Sequence, residues 1–318
     1  MARRLKKDAN FDCKLLPFER EDFLSMQEIK QRIGWEITAF NLPSAWQYAQ
    51  GEGVKIAVID SGCDLTHTDL ENNLLPGRNF VNPKEPPEDD NGHGTHVTGI
   101  ICAEDNEEGI VGVAPKCKVI PVKALDKKGR GDLRQVADAI RWSADQGADF
   151  ITMSLGSPKP VAIIRTAIQY AAKKKCVVFC AAGNAGRTRQ IFYPAAYPET
   201  IGVGAIDENF DRAKFSCTGD DLDFLAPGVK ILSTVPKNWY AVMSGTSMAN
   251  PFLVGVCALL LSFVRKKKVN VILDDAEDYR GVLRNYTIPA KNFAGQKFFE
   301  GFGIIDPRKF EEWVKTHQ

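Results

Sequence analysis

The chain has 318 residues, 44% of them hydrophobic and 25% charged, with 41 basic against 40 acidic side chains. This is globular composition, long enough for one large core or two modest ones. A net charge of +1 gives no reason to expect nucleic acid or an anionic membrane as partner, and no uninterrupted apolar stretch approaches the roughly 20 residues that cross a bilayer.

In chain order, the basic start MARRLKKD is not followed by an apolar segment, so a secretory signal is not expected. Next comes Leu15-Leu16-Pro17-Phe18, an apolar tetrapeptide between basic and acidic residues. It is too short for a helix stripe and is interrupted by a residue without an N–H. It reads either as a hydrophobic staple for a following helix or as a segment that packs elsewhere on the same chain. From residue 54, short β-branched runs alternate with helical patterns. The runs at 54–60, 118–125, 148–155, 176–183 and 200–206 predict buried strands, and 132–147 and 160–175 predict amphipathic helices. Buried strands joined by helices imply crossovers and a mainly parallel sheet, an α/β fold in three α/β/α layers. The lysine runs 173–175 and 266–268 follow apolar stretches and read as solvated helix ends. The segment 266–281 reads as a looser, charged region. Eight cysteines are scattered without metal-like spacing, and Cys102, Cys176, Cys180 and Cys257 lie in apolar runs. Buried free thiols point to a reducing, cytoplasmic compartment.

Four stretches carry chemistry. Asp60 closes the first predicted strand ahead of a glycine turn; alone, such an aspartate is most often a cap. In "NGHGTHVTG" two glycines flank His93 and permit close backbone approach. His93 and His96 lack the companions of a zinc helix, so His93 reads as a general base and His96 as a packing residue. "SGTSMANP" puts Ser247 at the start of an apolar helix, where free N–H groups favour developing negative charge. "AAGN" ends a strand in Asn184, whose amide can donate to an oxyanion. Aspartate, histidine, then serine is a known chain order for a nucleophilic triad, in which hydroxyl, imidazole and carboxylate are all needed.

Together these motifs resemble those of the subtilisin-like serine proteases from about residue 36 to 307, closer to the bacterial intracellular subtilisins than to the secreted ones. The resemblance implies a serine endopeptidase with Asp60, His93 and Ser247 as triad and Asn184 as oxyanion donor. It implies a groove lined by Ser154, Leu155 and Gly156 on one side and Gly129 and Gly131 on the other. A pocket would be bounded by Leu155, Ala182, Gly183 and Phe192, with Phe192 making it shallow. Arg187 and Arg189 would favour acidic groups nearby. A calcium ion is implied at Gln31, Asp69, Glu104, Asn106, Glu108 and Ile110, through hard oxygen donors. Residues 1–27 would be an inhibitory extension, with Leu15, Leu16, Pro17 and Phe18 in the groove, and 28–318 the catalytic domain. The partners implied are protein and peptide substrates, the chain's own propeptide and a second copy in a homodimer, with neither nucleic acid nor membrane. A dedicated processing protease and a non-catalytic peptide binder are the alternatives; the intact set of four residues argues against the second. One departure from the family pattern is Asn250-Pro251-Phe252-Leu253 behind the nucleophile, which alters packing there.

Overall fold

The computed structural model describes residues 12–25, 30–186, 190–310 and 313–314. The expected boundary at 27/28 and the residues Arg187 and Arg189 lie outside them. The chain opens with two strands, β1 (Asp12–Leu15) and β2 (Glu19–Ser25). Helices α1 (Trp35–Ala39) and α2 (Leu42–Trp46) lead into β3 (Lys55–Asp60), β4 (Arg78–Asn79), α3 (His93–Cys102) and β5 (Lys118–Lys123). Then come β6 (Arg130–Asp132), α4 (Leu133–Asp145), β7 (Phe150–Met153), β8 (Leu155–Gly156), α5 (Ala162–Lys173), β9 (Val177–Ala181) and β10 (Thr200–Ile206). The last part holds β11 (Phe224–Pro227), β12 (Ile231–Val235), β13 (Trp239–Ser244), α6 (Thr246–Lys267), α7 (Ala276–Leu283), β14 (Thr287–Ile288), α8 (Lys297–Glu300) and β15 (Ile304–Ile305). All five predicted strands and both predicted helices form, trimmed by one or two residues at most ends.

The central sheet runs β14-β15-β11-β10-β9-β7-β3-β5-β4, and every pair is parallel except β14 with β15. From β3 the chain crosses to β5 on one side, then returns past β3 to β7 and onward to β9. Right-handed crossovers therefore put α3 on one face and α4 and α5 on the other. Helix α6 packs beside α3 and spans β7, β9, β10 and β11, completing the expected three layers. It is buried from Thr246 to Val264 and is apolar and long enough to cross a bilayer, yet here it is the core helix. Each fully buried Leu or Phe on it, such as Leu253 and Phe252, contributes roughly 1.5–3 kcal/mol.

The stretch Asn250-Pro251-Phe252-Leu253 is buried behind Ser247. Pro251 lies inside α6 and has no N–H for the carbonyl four residues earlier, that of Ser247. The hydroxyl of Ser154 donates to that carbonyl instead, at 3.4 Å. Buried Asn250 donates to Thr152 Oγ1 at 2.8 Å, and its amide also lies 3.3 Å from the carbonyls of Met153 and Phe179, fastening α6 to β7 and β9.

Two expectations need correction. Leu15 to Phe18 are no staple for a helix: they lie in and between two strands. The C-terminal charged region is not loose at 276–283, where α7 buries Ala276, Tyr279 and Leu283. Tyr279 packs edge-on against Phe150 and Phe179. Arg280 holds Asp223 at 2.7 Å and reaches the carbonyls of Pro198 and Thr200. Only three core residues in eight make the apolar signal weak in sequence.

Glu36 on α1 is 5% exposed, its Oε2 has no hydrogen-bond partner among the described residues, and burial pushes its carboxyl up to about 7. The folded chain thus holds this proton more tightly than the unfolded one. Stability is unaffected below the ordinary value of 4.5 and is lost as pH rises through 7. Relative to wild type, Glu36→Gln is expected to gain about 1–3 kcal/mol in denaturant unfolding between about pH 4 and pH 8. A difference between the two proteins that does not change with pH would show that Glu36 is already ionised in the fold.

Candidate active site

Sheet order reverses at β3, and in open parallel sheets the crevice beyond the strand ends at such a point is where sites form. Asp60 stands there as the last residue of β3. Its Oδ1 accepts from the N–H of Ser61 at 2.7 Å. His93, first residue of α3, places Nδ1 2.9 Å from Oδ1 and 3.0 Å from Oδ2 of Asp60. A carboxylate only accepts, so the proton of this bond sits on Nδ1 and Nε2 is left as a base. Both side chains are almost wholly buried. Gly94 must lack a side chain, because a methyl there would run into the carbonyl oxygen of Gly62.

A residue missed in the sequence holds this helix start. The buried carboxylate of Asp89 accepts from the N–H of Asn91, Gly92 and Thr95 at 2.9–3.0 Å and from the hydroxyls of Ser61 and Thr95 at 2.9 and 2.6 Å. The signal was available: an acid three residues before a glycine that opens a helix is an anchor for free N–H groups. His96 is fully buried, with Nε2 3.0 Å from the carbonyl oxygen of Ala241, and burial pushes its pKa down to about 3. It stays neutral and packs.

Ser247 lies in the first turn of α6, its Oγ buried. Among the described residues neither this Oγ nor His93 Nε2 has a hydrogen-bond partner. The ring of Phe18 lies against that of His93, centroids 4.8 Å apart. Asn184 follows β9. Its Oδ1 accepts from the N–H and hydroxyl of Thr246 at 2.9 and 2.8 Å, which turns its NH2 outward. That NH2 donates to the carbonyl of Pro17.

The segments expected to line a groove already carry a peptide. β1 lies antiparallel between β6 and β8, with Cys13 opposite Gly131 and Lys14 opposite Gly156. The N–H of Leu15 donates to Gly129 at 2.9 Å and that of Leu16 to Ser154 at 3.3 Å. Leu16 is 2% exposed. A methyl on Gly156 would come within 3.2 Å of Leu16 Cδ2 and 3.3 Å of Phe192 Cβ, and one on Gly183 within 3.1 Å of the Phe192 ring. Phe192 thus lies against both Gly156 and Gly183, and its N–H donates to the carbonyl of Ala182 at 3.0 Å. Leu15 is only half-buried, over Gly129, and Phe18 rests on His93. Cys13 was not singled out, yet it is 2% exposed and borders a small cavity with Leu133, Leu155 and Tyr197.

The six residues of the expected calcium site also converge. Asp69 Oδ2 accepts from the N–H of Ile110 and the hydroxyl of Tyr240, both at 2.9 Å, and the Asn106 amide lies 3.3 Å from Oδ1. Gln31 reaches the carbonyl of Glu104 at 3.1 Å, and residues 30 and 32 bridge to Glu108 and Ile110.

An imidazole braced by a carboxylate, a buried hydroxyl at a helix start and an outward amide are the parts of a serine hydrolase. The comparisons make this specific. The subtilase family model matches residues 51–303. The chain is 46% identical over 285 residues to an intracellular serine protease of Paenibacillus polymyxa, covering 85% of this chain and 84% of that one. It is 36% identical over 303 residues to the major intracellular serine protease of Bacillus subtilis, covering 91% and 93%. Subtilisin E of Bacillus subtilis is 41% identical over 266 residues, covering 82% and 68%. The chain belongs to the subtilase family and is a serine endopeptidase acting on proteins and peptides.

Asn184→Ala is expected to lower kcat by roughly 10² or more with little change in KM, the scale established for such a donor in subtilisin. An effect confined to KM would make Asn184 a substrate-holding residue.

Proposed function

We propose that this chain is the zymogen of a calcium-stabilised cytoplasmic endopeptidase, with residues 1–27 as a removable inhibitor of the domain 28–318. In the active enzyme Ser247 Oγ attacks the substrate carbonyl carbon while its proton passes to His93 Nε2. Asp60 holds the ring and stabilises the imidazolium, and Asn184 donates to the oxyanion. On collapse the C–N bond breaks and His93 returns the proton to the leaving amine, leaving an acyl-serine that water hydrolyses by the reverse sequence.

The observation that carries the inhibitory reading is a register conflict. Leu16 occupies the pocket and its N–H is bound as a substrate's would be, so its own carbonyl is the one due at Asn184. Asn184 instead holds the carbonyl of Pro17. Pro17 has fixed φ and restricts Leu16, so the bond after Leu16 is kept out of attack geometry. Phe18 covers the imidazole. Tethering gives these contacts a high effective concentration.

Calcium is supported by the donor set. Asp69 supplies one carboxylate, Gln31 and Asn106 supply amides, and Glu104, Glu108 and Ile110 supply carbonyls, all hard oxygens. Burial raises the Asp69 pKa, the direction that a bound cation would oppose. A bound ion would tie segment 30–32 to the loop 104–110. The cytoplasmic reading rests on eight free, buried cysteines and on the two relatives named intracellular.

Full-length enzyme is expected to hydrolyse peptides only after a lag that shortens when activated enzyme is added. Pro17→Ala shortens it, and Ser247→Ala gives no hydrolysis at all with an unchanged melting curve. Full initial activity of the intact wild-type chain would show that residues 15–18 do not inhibit.

Calcium chelation is expected to lower the melting temperature by roughly 5–10 °C, as loss of a ligand bound only to the native state does. Asp69→Ala shows the lower value even with calcium present. A wild-type melting curve that ignores chelator would remove calcium from the account.

A further inference from the structure

Lys123 is the last residue of β5 and stands in register with Asp60 at the end of β3. It is 5% exposed, and a lysine is almost never buried so fully unless its charge is matched. Its Nζ donates to the carbonyl of Ser61 and to Oδ1 of Asp90, both at 2.6 Å. Ser61 directly follows Asp60, and Asp90 stands three residues before His93. A single ammonium therefore grips the turn that carries the carboxylate and the loop that carries the imidazole.

Turn and loop also touch each other directly. Cys63 bridges to Glu88, and the N–H of Cys63 donates to the carbonyl of Pro87 at 2.9 Å. Both are irregular backbone, so the sheet is their rigid reference. The N–H groups of Ala124 and Leu125 donate to the carbonyl of Asp60 at 2.9 and 3.1 Å, and Lys123 extends the same hold to Ser61 and Asp90. Ser61 is where the links meet. Its N–H donates to Asp60 Oδ1 at 2.7 Å, and its hydroxyl donates to Asp89 at 2.9 Å and accepts from the N–H of Gly94 at 3.0 Å. With its carbonyl on Lys123, Ser61 cannot turn without disturbing the carboxylate that orients His93. Stability alone does not account for a charge here. Desolvating an ammonium is costly, and an apolar side chain in its place commonly leaves a fold as stable or more so. Asp90 keeps its side chain 53% exposed, so the lysine bears the burial. An apolar residue could fill the space but could not bind two acceptors.

We propose that Lys123 is a positioning residue for peptide hydrolysis, fixing the placement of Asp60 relative to His93 by holding both of the segments that carry them. Proton transfer from Ser247 to His93 needs the ring in place before the hydroxyl attacks, and a misplacement of about 1 Å costs on the order of a hundredfold in rate. Neither acceptor of the ammonium belongs to β6 or β8, the strands that flank the groove. Loss of Lys123 therefore falls on the chemical step and leaves substrate binding alone. This rests on Asp60, His93 and Ser247 being the triad.

The test uses each full chain after exposure to immobilised activated wild-type enzyme, so that slow self-processing does not limit a weak variant. Active sites are counted by end-point labelling with a fluorophosphonate, and rates are expressed per site. Lys123→Met is expected to lower kcat on an extended peptide about 10–100-fold with KM within about twofold. It slows fluorophosphonate capture of Ser247 by a similar factor, because capture needs the same proton transfer, while its melting curve stays close to that of wild type. Asp90→Ala changes an exposed side chain and lowers kcat about fivefold; added to Lys123→Met it lowers kcat no further, since both remove one link. An unchanged kcat in Lys123→Met, or losses that multiply in the double variant, would overturn the assignment. So would a lowered melting temperature with kcat per site intact. If Lys123→Met does not fold, Asp90→Ala decides, and an unchanged kcat there overturns the link. Ser247→Ala answers separately for the triad. Hydrolysis by that variant defeats both readings, whereas no hydrolysis by it beside an unaltered kcat in Lys123→Met defeats this one alone.

Discussion

A peptide that binds a protease groove with the full backbone pairing of a substrate will be cut unless one bond is out of step. That constraint organises the N-terminal part of this structure. Residues 12–14 pair antiparallel with β6 and residues 14–15 with β8, and the segment buries the side chains of Cys13 and Leu16. The offset comes one residue later, at Pro17, whose carbonyl takes the amide of Asn184. A residue with a free φ and an N–H would let the chain relax into the productive register; proline does neither. In the proposed zymogen, the same pairing that would let this segment inhibit also sets how narrowly it avoids being a substrate.

The scaffold that presents the groove is set by the sheet. Reversal of strand order at β3 opens the crevice at Asp60, and α3 and α6 deliver His93 and Ser247 by their first turns. Both helix starts need outside support, because their first N–H groups have no partner within the helix. Asp89 serves α3 with a buried carboxylate. Thr246 and Asn184 serve each other at α6, so the donor that faces the groove is oriented by the segment carrying the hydroxyl. A change at Thr246 would therefore act on Asn184 as well.

Much of this was legible in the sequence. The β-branched runs named the interior strands because parallel strands are buried on both faces. Asp60, His93, Asn184 and Ser247 were recognisable because each sits in a short, glycine-bearing motif at a strand end or helix start. β1 and β2 were not legible, since what makes them strands is backbone pairing with distant partners, and Lys14 to Phe18 shows no alternation of its own. Cys13 escaped notice because its burial depends on a subsite built from Leu155 and Tyr197, far along the chain. Helix α7 escaped because a charged surface hides three core positions.

The central claim is that the segment from β1 through β2 occupies the whole groove, on both sides of Ser247, in a register that resists cleavage. The most direct test adds a synthetic peptide of residues 12–25 to activated enzyme and follows both inhibition and the peptide itself by mass spectrometry. The account predicts competitive inhibition with the bonds between Leu16 and Phe18 intact. Prompt cleavage at either bond, or no inhibition at all, would contradict it.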